Sequence, residues 1–408
     1  MATKEVDILI IGAGPAGLTA GLYAARARLN TVILEKGRHG GQIATTALLE
    51  NWPGTIRTSG PELTDRMKEH AEHFGCQIVR DEAVEVDFSG YEKVVKTRKG
   101  DTYLAKAVIL APGAQPRTLG IPGEREFRGR GVSYCATCDA DFFTDCRVVV
   151  VGSGDAGVEE AMYLTDFAAE VYLIVIHDEG ILDCTEVVKE RALSHPKLKF
   201  KWNSMLHEIK GDDGVTSVVL KNVKTGQLEE MPTDGVFIFV GTVPQTDFLK
   251  GKVEMDDRGY IIADHVTLET SVEGVFAAGD CRQKYLRQVV TAAGDGATAA
   301  VAAERYVREE ELFRKEVLEQ EVPVVLGFWN PFVEASIPKV ALLEQLQKEF
   351  GDKIKATKID TYRNQRVPRR YEIKKVPAVV VLKKGEVVAK LEDFDYEALK
   401  EAASKALV

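Results

Sequence analysis

Apolar residues along this chain come in short runs set off by glycine turns, not in the strict alternation of half-exposed strands. Val6–Ile11 (VDILII) is such a run, the pattern of a parallel strand buried on both faces. Gly12, Gly14, Pro15, Ala16 and Gly17 follow in GAGPAG, and Pro15–Leu29 then carries Ala and Leu at helical spacing. A second apolar run, Thr31–Leu34, ends at Glu35. The order strand, G-x-G-x-x-G, helix, strand, acid recurs 140 residues later. There Arg147–Val151 is the strand, 152–157 the turn, Val158–Phe167 the helix and Glu170–Ile176 the second strand. The pattern predicts an α/β protein with two Rossmann-like dinucleotide-binding domains. Beyond them, Val322–Trp329 reads as a buried strand, Lys339–Phe350 as an amphipathic helix and Ile354–Asp360 as a strand. Val376–Leu382 reads as a strand that enters a hairpin at KKGE. Between the two regions, Ala303–Glu321 has no Gly or Pro and alternates charge signs, which predicts a solvated helix leading out of one domain.

The glycine spacing has a chemical reason. Gly12 allows the tight turn, Gly14 lets backbone approach a pyrophosphate, and Gly17 lets helix and strand pack closely. The phosphates sit on the helix N-terminus, and Glu35, 23 residues after Gly12, accepts from an adenosine ribose. The second unit keeps the cradle in Gly152, Gly154, Asp155, Ala156 and Gly157, but Val175, then Ile176 and His177, stand where an acid is expected. No carboxylate awaits a free 2′-hydroxyl and no Arg a 2′-phosphate, unless Asp178 or Glu179 reaches the ribose from one turn later. Two units suggest a bound flavin dinucleotide and a nicotinamide one. The alternative for the second is a retained fold that no longer takes NAD(P)H.

Composition narrows the function classes. At 408 residues the chain fits two or three domains, and 45% hydrophobic with 28% charged residues reads as globular and soluble. A net charge of −10 argues against nucleic acid as a partner. No apolar run approaches the roughly 18 residues of a membrane span, and the N-terminus lacks a secretory pattern, so a cytoplasmic location is expected. Charge is uneven: from Glu316 onward 16 Lys/Arg meet 15 Asp/Glu, so the acidity lies in the first 315 residues. Six Cys imply no disulfide framework. Cys135 and Cys138, however, form C-x-x-C. Structural zinc needs four ligands and no second pair accompanies them, so a redox dithiol is the reading and no metal is expected. Asp139 adds a carboxyl able to move the proton the exchange requires. Cys76, Cys146, Cys184 and Cys281 are expected to be inert buried thiols.

Several segments together resemble low-molecular-weight thioredoxin reductases over about residues 5–310. They are GVSYCATCDADFF (131–143), both glycine turns, GGQ (Gly40–Gln42), ENWPG (50–54) and Gly274–Ala300. The resemblance implies an FAD-binding domain formed by 1–118 and 247–315, with a pyridine-nucleotide and C-x-x-C domain, 119–246, inserted. It implies FAD contacts from Gly12, Gly14, Pro15, Ala16, Gly17, Glu35, Gly41, Gln42, Asn51, Val84, Ala111, Gly113, Gly279 and Asp280. Arg287, Gln288 and Val289 would lie along the isoalloxazine. It makes Cys138 the thiol nearest the flavin, Cys135 the one that attacks substrate, and Asp139 the proton carrier. It also implies a homodimer, and an inserted domain that rotates about linkers near 120–123 and 240–245. This chain departs from the family where Val175-Ile176-His177 replace the His-Arg-Arg that grips the NADPH 2′-phosphate, and where Ala111-Pro112-Gly113 replace Ala-Thr-Gly.

Residues 318–408 resemble thioredoxin, with Pro377 at the place of its cis-proline. Where that family has Trp-Cys-x-x-Cys, the chain has Phe332-Val333-Glu334-Ala335-Ser336, and Gly327 replaces the usual buried Asp. The domain 316–408 is therefore expected to be redox-inactive. Arg363, Arg366, Arg369, Arg370, Lys374 and Lys375 form either a solvated face or a patch for an acidic body, the flavoprotein core or a donor such as ferredoxin. The reading is an FAD-dependent reductase of a thioredoxin-like disulfide. Its rivals are the same chemistry driven by ferredoxin instead of NAD(P)H, and a regulatory flavoprotein whose tail is a scaffold.

Overall fold

The computed structural model describes residues 2–46, 49 and 51–407. Glu50 of the ENWPG segment lies outside them. The chain divides into two compact units, Met1–Arg305 and Tyr306–Val408.

In the first unit the apolar runs become central parallel strands. Thr3–Ile11 pairs in parallel with Thr31–Glu35 on one side and Thr102–Leu110 on the other. Ile8, Leu9 and Ile10 are fully buried, which is why apolar residues occupy successive positions instead of alternate ones. Val275–Ala277 joins the same sheet beside Thr102–Leu110, so residues far apart in sequence share one sheet. The chain between them builds its own five-stranded parallel sheet, in the order Leu198–Lys201, Glu170–Ile174, Arg147–Val151, Gly235–Ile238, Val132–Ser133. A three-stranded antiparallel sheet, Ser204–Gly211, Val215–Asn222 and Leu228–Pro232, accompanies it. The two crossings between the sheets run side by side as a short antiparallel ribbon, Ala114–Pro116 against Thr242–Pro244.

The second unit has a four-stranded sheet in the order Lys355–Asp360, Val324–Trp329, Ala378–Lys383, Glu386–Glu392. Ile337–Phe350 and Tyr396–Leu407 contribute to the core cluster around Val325, Val379 and Val381. A second cluster joins Phe313 and Val317 to Val324, Leu326 and Phe328.

That second cluster corrects the solvated-helix expectation. The helix Val289–Phe313 continues into a wider π turn, Arg314–Leu318, and its Tyr306, Val307, Phe313 and Val317 are buried. The charged surface sequence hid this apolar stripe, which belongs to the unit beginning at Tyr306. The basic patch is corrected too. Arg370 makes a two-pronged ion pair with buried Glu310, both N···O distances being 2.9 Å, and its guanidinium lies 5.3 Å from the Phe313 ring centre. Arg366 pairs with Glu309 at 3.3 Å and lies over Tyr306. These two arginines belong to the interior bonding of their own unit, not to a free docking face.

Candidate functional site

At the first glycine turn, a Cβ on Gly12 would stand 2.2 Å from the Ala111 carbonyl oxygen, and one on Gly17 1.8 Å from the Gly12 carbonyl oxygen. The middle glycine, Gly14, faces open space on the side a pyrophosphate needs. Glu35 is held ready beside it, accepting from the Ala13 and Gly37 amides at 2.8 Å each. The Gly40 amide donates to the Ala13 carbonyl at 2.7 Å, so the Gly40–Gln42 segment folds onto the turn, and the Gln42 amide bonds to the Ala114 carbonyl. Beyond Glu35 opens a cleft of about 420 Å³ lined by Gly37, Arg38, His39, Lys68, Ile78 and Arg80. Val84, expected near the adenine, is not among the lining residues.

Asp280 supplies the sharpest test of whether a flavin dinucleotide fits. Its Oδ1 is buried without a hydrogen-bond partner, and burial holds its carboxyl above the usual carboxylate range. A buried orphan acceptor costs free energy unless a donor arrives, and a sugar-alcohol hydroxyl is such a donor. Its neighbour Gly279 donates to Asp295 at 3.0 Å, and Asp295 in turn holds Arg282 and Lys284. Arg287 stacks over Tyr260 with 4.2 Å to the ring centre, and Val289 begins the long helix. Cradle, ribose acid and orphan acceptor together fit FAD.

The thiol pair forms a disulfide, Cys135–Cys138, with 5.3 Å between Cα atoms, on the single helical turn Ala136–Asp139. Gln288, from the cofactor half, bridges to it: its amide donates to Thr137 Oγ1 at 3.1 Å and approaches Cys135 Sγ at 3.9 Å. Asn51 donates to the other end of Gln288 at 3.2 Å. The structure thus places Gln288, one of the three residues expected along the isoalloxazine, against the C-x-x-C turn. Asp139 is mostly buried, and desolvation raises its pKa against the lowering effect of a 2.6 Å hydrogen bond from Ser133 Oγ. The same serine oxygen accepts from the Cys135 amide at 3.1 Å. A carboxyl that keeps its proton above the ordinary range is suited to proton transfer beside a thiol. Burial pushes the Cys76 and Cys281 thiols up to about 12, in keeping with inert roles. Cys146 and Cys184 are only partly buried, which corrects the expectation for those two, though burial raises their pKa as well.

The second glycine turn repeats the first. A Cβ on Gly152 would meet the Phe239 carbonyl oxygen at 2.3 Å, one on Gly157 the Gly152 carbonyl oxygen at 2.2 Å, and Gly154 is open. The ribose end differs. Val175 is buried and Ile176 exposed. His177 pairs with Asp183 at 2.8 Å, and Asp178 with Lys224. Asp183 also accepts from Ser153 Oγ at 2.6 Å and donates its amide to the Ser153 carbonyl at 2.9 Å. His177 and Lys224, the groups nearest this end, thus both have carboxylate partners.

The pyridine nucleotide-disulphide oxidoreductase family model matches residues 6–296, and the thioredoxin model matches 304–405. A thioredoxin reductase of Peptoclostridium acidaminophilum is 53% identical over 308 residues, 74% of this chain and 96% of the relative. The chain belongs to the thioredoxin reductase family. A solved thioredoxin reductase from Streptococcus pyogenes MGAS5005 superposes with a TM-score of 0.71 at 45% identity, covering 75% of this chain and 99% of its own. A Lactococcus lactis thioredoxin reductase in its FR conformation, at 44% identity over 74% and 99%, gives only 0.54.

The thioredoxin-like tail contains no cysteine, so it does not carry the disulfide that is reduced. Ser336, at the second cysteine position, is fully buried and bonds the Asn330 and Val333 carbonyls, both at 2.7 Å. A Cβ on Gly327 would meet Leu343 Cδ1 at 2.3 Å, so the space of the usual acid is filled. The Val376–Pro377 bond is cis, as the resemblance implied. Sequence reading missed Ser133, Thr137 and Asp295 as site residues. All three lie inside quoted motifs, but only the fold shows what they touch.

Proposed function

We propose that this chain is an FAD-dependent thioredoxin-disulfide reductase. The observation that carries the reading is the Cys135–Cys138 disulfide seated against Gln288 with the buried Asp139 beside it. FAD, held by Gly12, Gly14, Glu35 and Asp280, would supply the two-electron carrier between donor and dithiol. In the reduced protein Cys135, as thiolate, attacks one sulfur of the external disulfide, forming a mixed disulfide and releasing a thiolate that takes a proton. Cys138 then attacks Cys135 Sγ, closing the internal disulfide and releasing the second thiol. The substrate gains two electrons and two protons, and the dithiol loses them. Asp139 carries protons at the pair, and Ser133 holds it there. The partner is a separate thioredoxin-like protein, since the tail has no dithiol. A homodimer working in the cytoplasm belongs to the same reading.

For the donor we propose a nicotinamide dinucleotide without a 2′-phosphate, supported by the intact second cradle and the carboxylates around His177. A second reading has its own observation. Residues 183–185 bond across the second turn, Asp183 to Ser153 and the Thr185 amide to Asp155 at 2.7 Å, which favours a donor that does not use this cradle, such as reduced ferredoxin. Anaerobic titration of the flavin spectrum with NADH, NADPH and reduced ferredoxin in parallel tests both. Bleaching by NADH supports the first, and bleaching by ferredoxin alone the second. Preferential bleaching by NADPH would overturn the reading of Val175–His177.

A further inference from the structure

Glu124 lies in the inserted segment; its residue is 3% exposed and its carboxylate has three donors. The Leu119 amide reaches Oε1 at 2.9 Å, the Gly120 amide reaches Oε2 at 2.7 Å, and the Tyr134 hydroxyl reaches Oε1 at 2.8 Å. Leu119 and Gly120 are where the first crossing leaves the two-stranded ribbon. Tyr134 directly precedes Cys135. Burial and the Glu124 charge both raise the Tyr134 pKa, so that hydroxyl stays a donor, and Arg128 lies over its ring.

The surroundings fix each end of this bridge. On the ribbon side, the Arg117 amide donates to the Gly241 carbonyl at 2.9 Å. On the other side, the Ile209 amide donates to the Pro122 carbonyl at 3.0 Å, and a Cβ on Gly123 would stand 2.0 Å from the Ile209 carbonyl oxygen. Residues 119–124 are therefore bound to the inserted sheets, and Thr118 stands between two anchored stretches. A hinge needs such a short torsional element between rigid ends.

We propose that Glu124 is a positioning residue for turnover: it ties the end of the crossing segment to the strand entering Cys135, so the inserted part turns about Thr118 as one body and returns its sulfurs to Gln288 in register. This rests on the reductase reading, because only a dithiol that must leave and return needs such a tie. Two amides and a phenol demand a carboxylate here. Glutamine offers one acceptor oxygen and two unwanted donors, so it cannot serve all three.

The test uses the full flavin-loaded protein and a thioredoxin. Wild-type turnover establishes the underlying reading separately, and its failure would count against that reading alone. For Glu124→Gln, kcat should fall about tenfold with KM for thioredoxin unchanged, since the loss lies in a step after binding. Tyr134→Phe should lower kcat about threefold, and the double variant should be no slower than Glu124→Gln alone, because both act through one network. Hydrogen exchange gives an activity-independent readout. The Leu119 and Gly120 amides should exchange faster in Glu124→Gln, with strand Arg147–Val151 unchanged. Wild-type kcat in Glu124→Gln, defects that multiply in the double variant, or faster exchange across the whole inserted sheet would each overturn the proposal. Tyr134→Phe removes a single hydroxyl and keeps the kcat and exchange tests available should Glu124→Gln not fold.

Discussion

Asp139 shows how a single side chain trades stability for chemistry. Burial raises its folded pKa above the roughly 3.9 of an unfolded aspartate, so the folded chain binds this proton more tightly than the unfolded one. Its contribution to stability is therefore present at acid pH and is lost as pH rises through the raised pKa. Asp139→Asn removes that ionisation, and Asn can still accept from Ser133. At pH 7 the variant should melt higher than wild type, with the gap closing near pH 4, while turnover falls about a hundredfold. A gap independent of pH in thermal melts would show that desolvation of this carboxylate is not the cause. The C-x-x-C-D pattern was legible in the sequence because thiol spacing is itself the chemistry. Ser133 was not, since a serine in a strand carries no signal until the fold turns its hydroxyl toward Asp139.

Elements were read well where local physics decides them. Arg147–Val151 matches its expected bounds, because a β-branched run before a glycine turn has few other solutions. The first helix ends at Arg26, not Leu29, and Arg28 adopts a left-handed φ of 64°. Long-range partners explain the larger misses. Nothing in ERYVREEELF reveals that Glu310 is buried, because its compensating charge, Arg370, lies 60 residues on. Breaking that pair strands a buried carboxylate, so Arg370→Ala should cost the tail about 3 kcal/mol, read as an earlier unfolding midpoint. Arg370→Leu combined with Glu310→Leu should recover most of the loss. If Arg370→Ala leaves the midpoint unchanged, the pair is not structural.

At the level of the molecule, an intact glycine cradle and a working donor site are separate matters, and the ribose end decides between them. The glycines alone predicted two similar turns, and the structure has two. What differs, the engagement of His177 and Ser153 by Asp183, depends on a loop whose course periodicity could not supply. The tail gives a parallel case: its strand order follows thioredoxin while Leu343 and Ser336 fill the space of the lost chemistry. Electrons are proposed to leave through Cys135 and Cys138, and trapping tests this most directly. Cys138→Ser, chemically reduced and mixed with an oxidised thioredoxin, should stop at a covalent adduct through Cys135 that mass spectrometry resolves and dithiothreitol releases, with no sustained turnover. Continued reduction of thioredoxin by that variant, or no adduct on Cys135, would contradict the relay.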